Sequence, residues 1–284
     1  MKDMHIYGMG IYGLTFAVNA VQRGFDISIS DIKIKNVRNN TSNSSNCLKS
    51  GVEYYILFPE HAMYYLRANK DFRERFPQFV DKKNDLWINT KDQFIHRDFI
   101  TDTVNDDFES YDTTIFMEEF RKFLVKILED NNVEITYDSN KHEAKHSIYA
   151  CGYSNYYLMK KNNVEFDNMY PVTSFTQVYI PRFPESMNEI CVQYYNKNHK
   201  EFSTRRWYKG KLFFGETVEL AFVPRIPNMR HVKTRGGTRL MSIQNEKFID
   251  KFEVVREGND HYLLSGSITT AFLDTMIYIK KTGW

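Results

Sequence analysis

The chain opens on an apolar run, Met4-His5-Ile6-Tyr7, that suits a buried strand. The run breaks at Gly8-Met9-Gly10-Ile11-Tyr12-Gly13, and an apolar segment of helical character carries on to Gly24. A second strand-like run, Ile27-Ser28-Ile29-Ser30, ends on Asp31. The clearest later helix covers residues 115–130. There Phe116, Phe120, Phe123, Leu124, Ile127 and Leu128 recur at spacings of three and four, leaving Glu118, Glu119, Arg121, Lys122 and Lys126 outside. Asp112, Thr113 and Thr114 are its N-cap candidates, Asn131-Asn132 suit its end, and Val133-Glu134-Ile135 follows as a strand.

Elsewhere the pattern is more mixed. Residues 61–69 predict a helix closed by Phe76-Pro77, and residues 86–88 and 94–95 predict short strands. The acidic stretch 102–112 reads as a solvated loop, its carboxylates lacking the ligand spacing of a calcium loop. A strand at 147–149 runs into Ala150-Cys151-Gly152. Beyond Tyr170-Pro171-Val172 the chain turns β-rich, with strands expected at 172–180, 190–195, 211–215 and 220–224. Such neighbouring strands favour an antiparallel sheet over further βαβ units. Residues 262–264 run into Ser265-Gly266, and 268–281 read as a closing amphipathic helix.

Composition removes several classes of function. The chain has 284 residues, with 38 basic against 36 acidic side chains and a net charge of +2. That balance gives no reason to expect nucleic acid or an anionic membrane as partner. No apolar run is long enough to span a bilayer, and Met1-Lys2-Asp3 leads straight into the first strand, so neither a membrane anchor nor a secretory leader is expected. Cys47, Cys151 and Cys191, widely spaced and odd in number, point to a reducing, cytoplasmic setting rather than a disulfide framework.

The opening stretch carries the most specific chemistry. Gly8, Gly10 and Gly13 form G-x-G-x-x-G between a strand and a helix, with an acid, Asp31, at the end of the next strand. Gly8 permits the tight turn, Gly10 lets backbone approach a pyrophosphate, and Gly13 lets helix and strand pack closely. The helix N-terminus favours the anion, and Asp31 is placed for the adenosine ribose hydroxyls. The Asn- and Ser-rich stretch after Asp31 leaves the carboxyl end of the second strand, where ligands of doubly wound sheets collect. It reads either as a plain loop or as a phosphate or flavin contact through Thr41, Ser42, Ser44, Ser45 and Asn46.

These landmarks together resemble the glutathione-reductase-type flavoproteins, and within them the D-amino-acid oxidase and glycine oxidase family. Asn132-Val133-Glu134-Ile135 resembles the family's G-V-x-I strand, Ala150-Cys151-Gly152 its A-x-G step, and Pro171-Val172 the opening of its substrate sheet. The resemblance implies an α/β fold: a Rossmann-like FAD-binding domain (1–50, 113–168 and 232–284) with an inserted, mainly antiparallel β substrate domain (51–112 and 169–231). It implies FAD held by Gly8, Gly10, Ile11, Tyr12, Gly13, Asp31, Ile32, Lys33, Ser44, Ser45, Asn46, Val133, Ala150, Cys151, Gly152, Gly266 and Ser267. It further implies oxidation of a small amine or amino acid, with oxygen or another acceptor taking the electrons. The segment Met229 to Leu240 resembles the family's arginine-bearing strand, which makes Arg239 the first choice for a substrate carboxylate and Arg235 the second; a solvated basic hairpin is the alternative. Tyr208 is the candidate aromatic lid. The chain is short for the family, and the stretch between Ile135 and Ile148 lacks room for the usual β-meander.

Rival readings exist. His142-Glu143-Ala144-Lys145-His146 matches H-E-x-x-H, the pattern of a zinc hydrolase, but that chemistry needs a helix of several turns and this segment sits among turn-forming polar residues before a strand. No metal is expected. An NAD(P)-dependent reductase would use the same N-terminal unit, though the β-rich middle favours the flavin arrangement. A binding module with weakened catalysis is the third rival.

Overall fold

The computed structural model describes residues 1–31, 46–55, 58–88, 96–104, 107–138, 140–182, 191–196, 201–208, 211–216, 228–244, 247–264 and 266–284. The chain divides into two compact units, Met1–Ser42 with Met117–Val172 and Thr238–Trp284, and Asn43–Phe116 with Thr173–Gly237.

The first unit is built on a sheet of six strands, β1 (Lys2–Tyr7), β2 (Ile27–Ser30), β7 (Glu134–Thr136), β8 (Ala144–Tyr149), β15 (Glu253–Glu257) and β16 (Asp260–Leu264), ordered β15-β16-β8-β1-β2-β7. All pairings are parallel except that of β15 with β16. Helix α1 (Ile11–Val21) buries Leu14, Phe16, Ala17 and Val18 and packs beside α3 (Met117–Asp130) and α5 (Ala271–Lys281). Asn19 ties α1 to α5, its Nδ2 donating to Phe272 O at 3.2 Å and Thr275 Oγ1 at 2.9 Å. A short helix, α4 (Ser154–Lys161), follows β8. Met159, Val164, Met169, Leu240, Tyr262 and Leu264 form an apolar cluster in this unit.

The second unit contains β3 (Cys47–Leu48), α2 (Pro59–Arg75), β4 (Val80–Ile88), β5 (Ile100–Val104), β6 (Asp107–Ile115), β10 (Val192–Asn196), β11 (Glu201–Tyr208) and β12 (Lys211–Glu216). Strand β9 (Met169–Pro181) begins outside it and ends within it, β13 (Met229–Gln244) begins within it and ends outside, and β14 (Lys247–Ile249) pairs with the last residues of β13. Strand order runs β13-β9-β12-β11-β10-β4-β6-β3, with β5 on β6. From β9 to β3 the pairings are antiparallel apart from β10 with β4, and β5 is antiparallel to β6. Val52, Ala62, Leu66, Trp87, Phe99 and Phe108 form one apolar cluster, and Tyr179, Leu212, Phe214 and Met229 another.

The α/β class read from the sequence is therefore present, a parallel sheet with helices beside a largely antiparallel one. Some local expectations are corrected. Residues 102–104 and 107–112 are not a solvated loop but parts of β5 and β6, and Asp112, Thr113 and Thr114 lie within β6 instead of capping a helix. Along β6, Phe108, Ser110 and Asp112 are buried while Asp107, Glu109 and Tyr111 are half-buried, a period-two pattern hidden by the acidic composition. The basic segment around Arg235 is one strand of 16 residues, not a hairpin. His146 lies in β8, so the H-E-x-x-H match has no helix to put both rings on one face. The strands expected at 94–95 and 220–224 fall outside the described residues. Among those described, no helix is long and apolar enough to cross a membrane.

Candidate dinucleotide site

The carboxyl edge of the parallel sheet gathers most of the residues singled out from the sequence. Gly8 leaves β1 with φ +102, its N–H donating to Ser30 O at 2.7 Å, and a Cβ there would lie 2.6 Å from Ala150 O. A Cβ on Gly13 would lie 1.8 Å from Gly8 O. Only glycine fits at either position, so the turn and the first turn of α1 close on each other and on the end of β8. Gly10 is the N-cap of α1, extended and without a side chain to cover the helix end, and the first turn holds no acidic residue. Asp31 follows β2 directly, and its Oδ2 accepts from Met9 N at 3.1 Å, which fixes the acid against the glycine turn. Ile11 is buried and Tyr12 half-buried beside them.

The neighbouring strand ends complete the edge. Ala150 N donates to Tyr7 O at 2.8 Å, and the Cys151 thiol donates to the same carbonyl at 3.3 Å. Burial first, then the charge of Asp31, pushes the Cys151 thiol up to about 12, so it stays protonated and is no nucleophile at neutral pH. Gly152 has φ +61 and a Cβ there would meet nothing within 4 Å, so backbone faces open space. Past β16, Gly266 has φ +97 and Ser267 is buried. Val133 is not brought to this edge: it precedes the amino end of β7, which runs parallel to β2, and its N–H donates to Leu128 O at 3.0 Å.

Residues not singled out for this edge also reach it. Arg121 of α3 donates from Nη2 to Met9 O at 3.2 Å. Burial lowers its pKa and the charge of Asp31 opposes that shift, so a cation stands close to that acid. Its position outside the apolar stripe of the helix was the only hint of a surface role, and nothing in the spacing tied it to the turn. Deeper in the sheet, His5 lies between Ser28 Oγ at 2.7 Å and Ser30 Oγ at 2.9 Å, its ring stacked on His142 at 4.0 Å. Burial, with the nearby His142, lowers His5 to about 4, so the ring is neutral.

Other candidates stand elsewhere. Asn46, with φ +55, belongs to the second unit, where its carbonyl accepts from Ile115 N at 2.9 Å. Ile32, Lys33, Thr41, Ser42, Ser44 and Ser45 lie outside the described residues, as does the side chain of Tyr208, whose backbone ends β11. Arg235, in the second unit, holds its guanidinium over the Phe213 ring at 5.1 Å. Arg239, in the first unit, donates from Nη1 to Oδ2 of the buried Asp250 at 2.7 Å. The second unit also buries a charged cluster absent from the sequence reading. Arg206 pairs with Asp85, both fully buried, and donates to Thr114 Oγ1 and Cys47 Sγ at 2.9 Å each. Burial works against the Arg206 charge, but Asp85 outweighs it and raises the pKa.

No family model and no curated protein matches this sequence. Solved structures do. Glycine oxidase from Geobacillus kaustophilus superposes with a TM-score of 0.69 over 98% of this chain and 94% of that one, at 13% identity. The chain shares its fold. L-proline dehydrogenase from P. horikoshii gives a TM-score of 0.71 at 9% identity, covering 99% of this chain and 94% of that one. L-amino acid deaminase from Proteus vulgaris, with its specific insertion sequence deleted, gives 0.67 at 11% identity over 97% and 88%. The family resemblance read from the glycines, the acid and the strand-to-glycine steps thus corresponds to a common architecture over nearly the whole chain.

Proposed function

We propose that the chain is an FAD-dependent oxidoreductase acting on a small amine or amino acid. The observation that carries this reading is the glycine turn at the carboxyl edge. Gly8 and Gly13 leave no room for a Cβ, and Asp31 is bonded into the same turn. In this reading an FAD-binding domain (1–50, 113–168 and 232–284) overlaps most of the first unit, and a substrate domain (51–112 and 169–231) most of the second. The shared fold with an oxidase, a dehydrogenase and a deaminase of amino acids supports the substrate class. The same fold in an FAD-dependent oxidoreductase and in a dehydrogenase complexed with FAD supports FAD over NAD(P).

Asp31 would accept from the adenosine ribose, and the N-terminus of α1 at Gly10 would hold the pyrophosphate. Gly152 offers bare backbone on one side of that path, and Gly266 with Ser267 marks the far end. Bound there, FAD supplies a hydride acceptor for the substrate α-carbon, with oxygen or another acceptor taking the electrons on. The chain's own part is to bind and orient, and an arginine fork suits a substrate carboxylate. Arg239 is the first candidate anchor, where an incoming carboxylate would compete with Asp250, and Arg235 is the second. Tyr208 would cover the substrate. None of the three cysteines is in a disulfide, and we place the protein in the cytoplasm, where they stay reduced.

Anaerobic titration of the FAD-loaded protein with amines, amino acids and hydroxy acids tests the reading. Bleaching of the flavin band by an amine or amino acid is the expected result. A protein that binds FAD and is bleached by none of them is not the proposed enzyme.

A further inference from the structure

Tyr12 occupies one of the two variable positions between Gly10 and Gly13, where the turn itself requires nothing polar. Its hydroxyl donates to Asp274 Oδ2 at 2.7 Å and lies 3.1 Å from Thr270 Oγ1 and 3.2 Å from Ser267 O. The single proton goes to the carboxylate, the shortest and charged partner, which leaves the oxygen to accept from Thr270. The ring stacks on Phe252 with centroids 5.2 Å apart. The Gly266 backbone runs against the hydroxyl so closely that a Cβ there would lie 1.8 Å from it. Asp274 is buried in the first turn of α5, and Thr270 is the N-cap of that helix.

One side chain from the first turn of α1 therefore meets Gly266, Ser267 and Thr270 of the second glycine turn and Asp274 at the start of α5. Both turns lie on the same sheet edge, since Gly8 follows β1, Gly266 follows β16, and β8 runs parallel between them. With strands about 4.8 Å apart, the path from Asp31 through Gly8 to Gly266 covers three strand spacings, about 14 Å. That is room for a ligand laid along the edge and held at both ends, not at the glycine turn alone.

We infer that Tyr12 is a positioning residue that fixes the far turn, residues 266–270, to the pyrophosphate turn, so that both halves of the dinucleotide meet a preformed edge. This rests on the FAD reading. The far turn serves the flavin half, so Tyr12 matters for FAD and not for ADP, which needs only Asp31 and the glycine turn.

The test is calorimetric titration of flavin-stripped protein with FAD and separately with ADP, in wild type, Tyr12→Phe, Gly266→Ala and Asp274→Asn. Tyr12→Phe is expected to weaken FAD by about tenfold or more while ADP stays within about twofold. Asp274→Asn keeps an acceptor for the hydroxyl and should retain most of the FAD affinity. Gly266→Ala pushes on the hydroxyl from the other side and should reproduce the split, which keeps the test standing if Tyr12→Phe folds poorly. Unchanged FAD affinity in both Tyr12→Phe and Gly266→Ala overturns the inference, and so does an equal loss of FAD and ADP. Wild-type protein that binds ADP but not FAD overturns the FAD reading itself, and this one with it.

Discussion

In the parallel sheet of the first unit, the buried His5 ring is neutral and held by two serine hydroxyls. In the sheet of the second, Arg206 and Asp85 are buried as a charged pair. Asp112 adds another buried carboxyl there, accepting from Trp87 Nε1 at 2.8 Å, Ser110 Oγ at 2.7 Å and Ser50 N. Neutral hydrogen-bonded groups tolerate the loss of a partner better than an isolated buried charge does. The glycine edge is thus set by backbone sterics and short-range bonds. The second sheet depends on charges that must find each other across the chain.

Breaking the ion pair should have the largest effect. Arg206→Met leaves Asp85 buried without its cation and should cost about 3–5 kcal/mol in urea unfolding. Adding Asp85→Leu should recover most of that loss; a double variant as unstable as the single would mean that packing, not charge, is at stake. Gly8→Ala comes next. The left-handed backbone and the 2.6 Å approach to Ala150 O together should cost about 1–3 kcal/mol and abolish FAD binding. Gly258, with φ +58 and nothing within 4 Å of a Cβ, isolates the backbone term, and its alanine variant should lose about 1 kcal/mol with FAD binding intact.

Acid should separate the units further. His5 and His261 are lowered to about 4, by burial first and then by His142 for one and by Arg256 and His146 for the other. The unfolded chain binds their protons near 6.5, so their contribution is complete above that pH and is lost as pH falls through about 4. Asp112 goes the other way. Burial, then the charges of Glu53 and Asp85, raises it to about 6, so its proton favours the fold below about 4 and that contribution is lost as pH rises through 6. Asp112→Asn should therefore steepen the fall in stability between pH 6 and 4, as measured by urea midpoints. A shallower fall would mean that Asp112 is ionised in the fold throughout. The smallest effect on stability is expected for Arg235→Ala, within about 0.5 kcal/mol. It should raise KM for an amino acid by about tenfold with FAD content unchanged.

The same contrast explains what could be read in advance. β1, α1, β2 and Asp31 were legible because each signal is local: glycines a few residues apart, an apolar run, and an acid at a strand end. The helix α3 was legible from its stripe of Phe and Leu. β6 was not, because Asp112 becomes a core residue only when the Trp87 indole and the Ser110 hydroxyl arrive to bond it. β11 was missed for a similar reason: its Arg206 looks solvated until Asp85, 121 residues away, is placed beside it. At the site, the glycines and Asp31 were visible. Arg121 was not, since it joins Met9 across 112 positions, and the bonding of Tyr12 depends on residues more than 250 positions on.

The most direct measurement is the FAD stoichiometry of the purified protein after incubation with excess FAD and removal of the unbound flavin. The account predicts about one FAD per chain, released on denaturation, and little or none in Gly8→Ala. Protein that is colourless and fails to rebind FAD would contradict it.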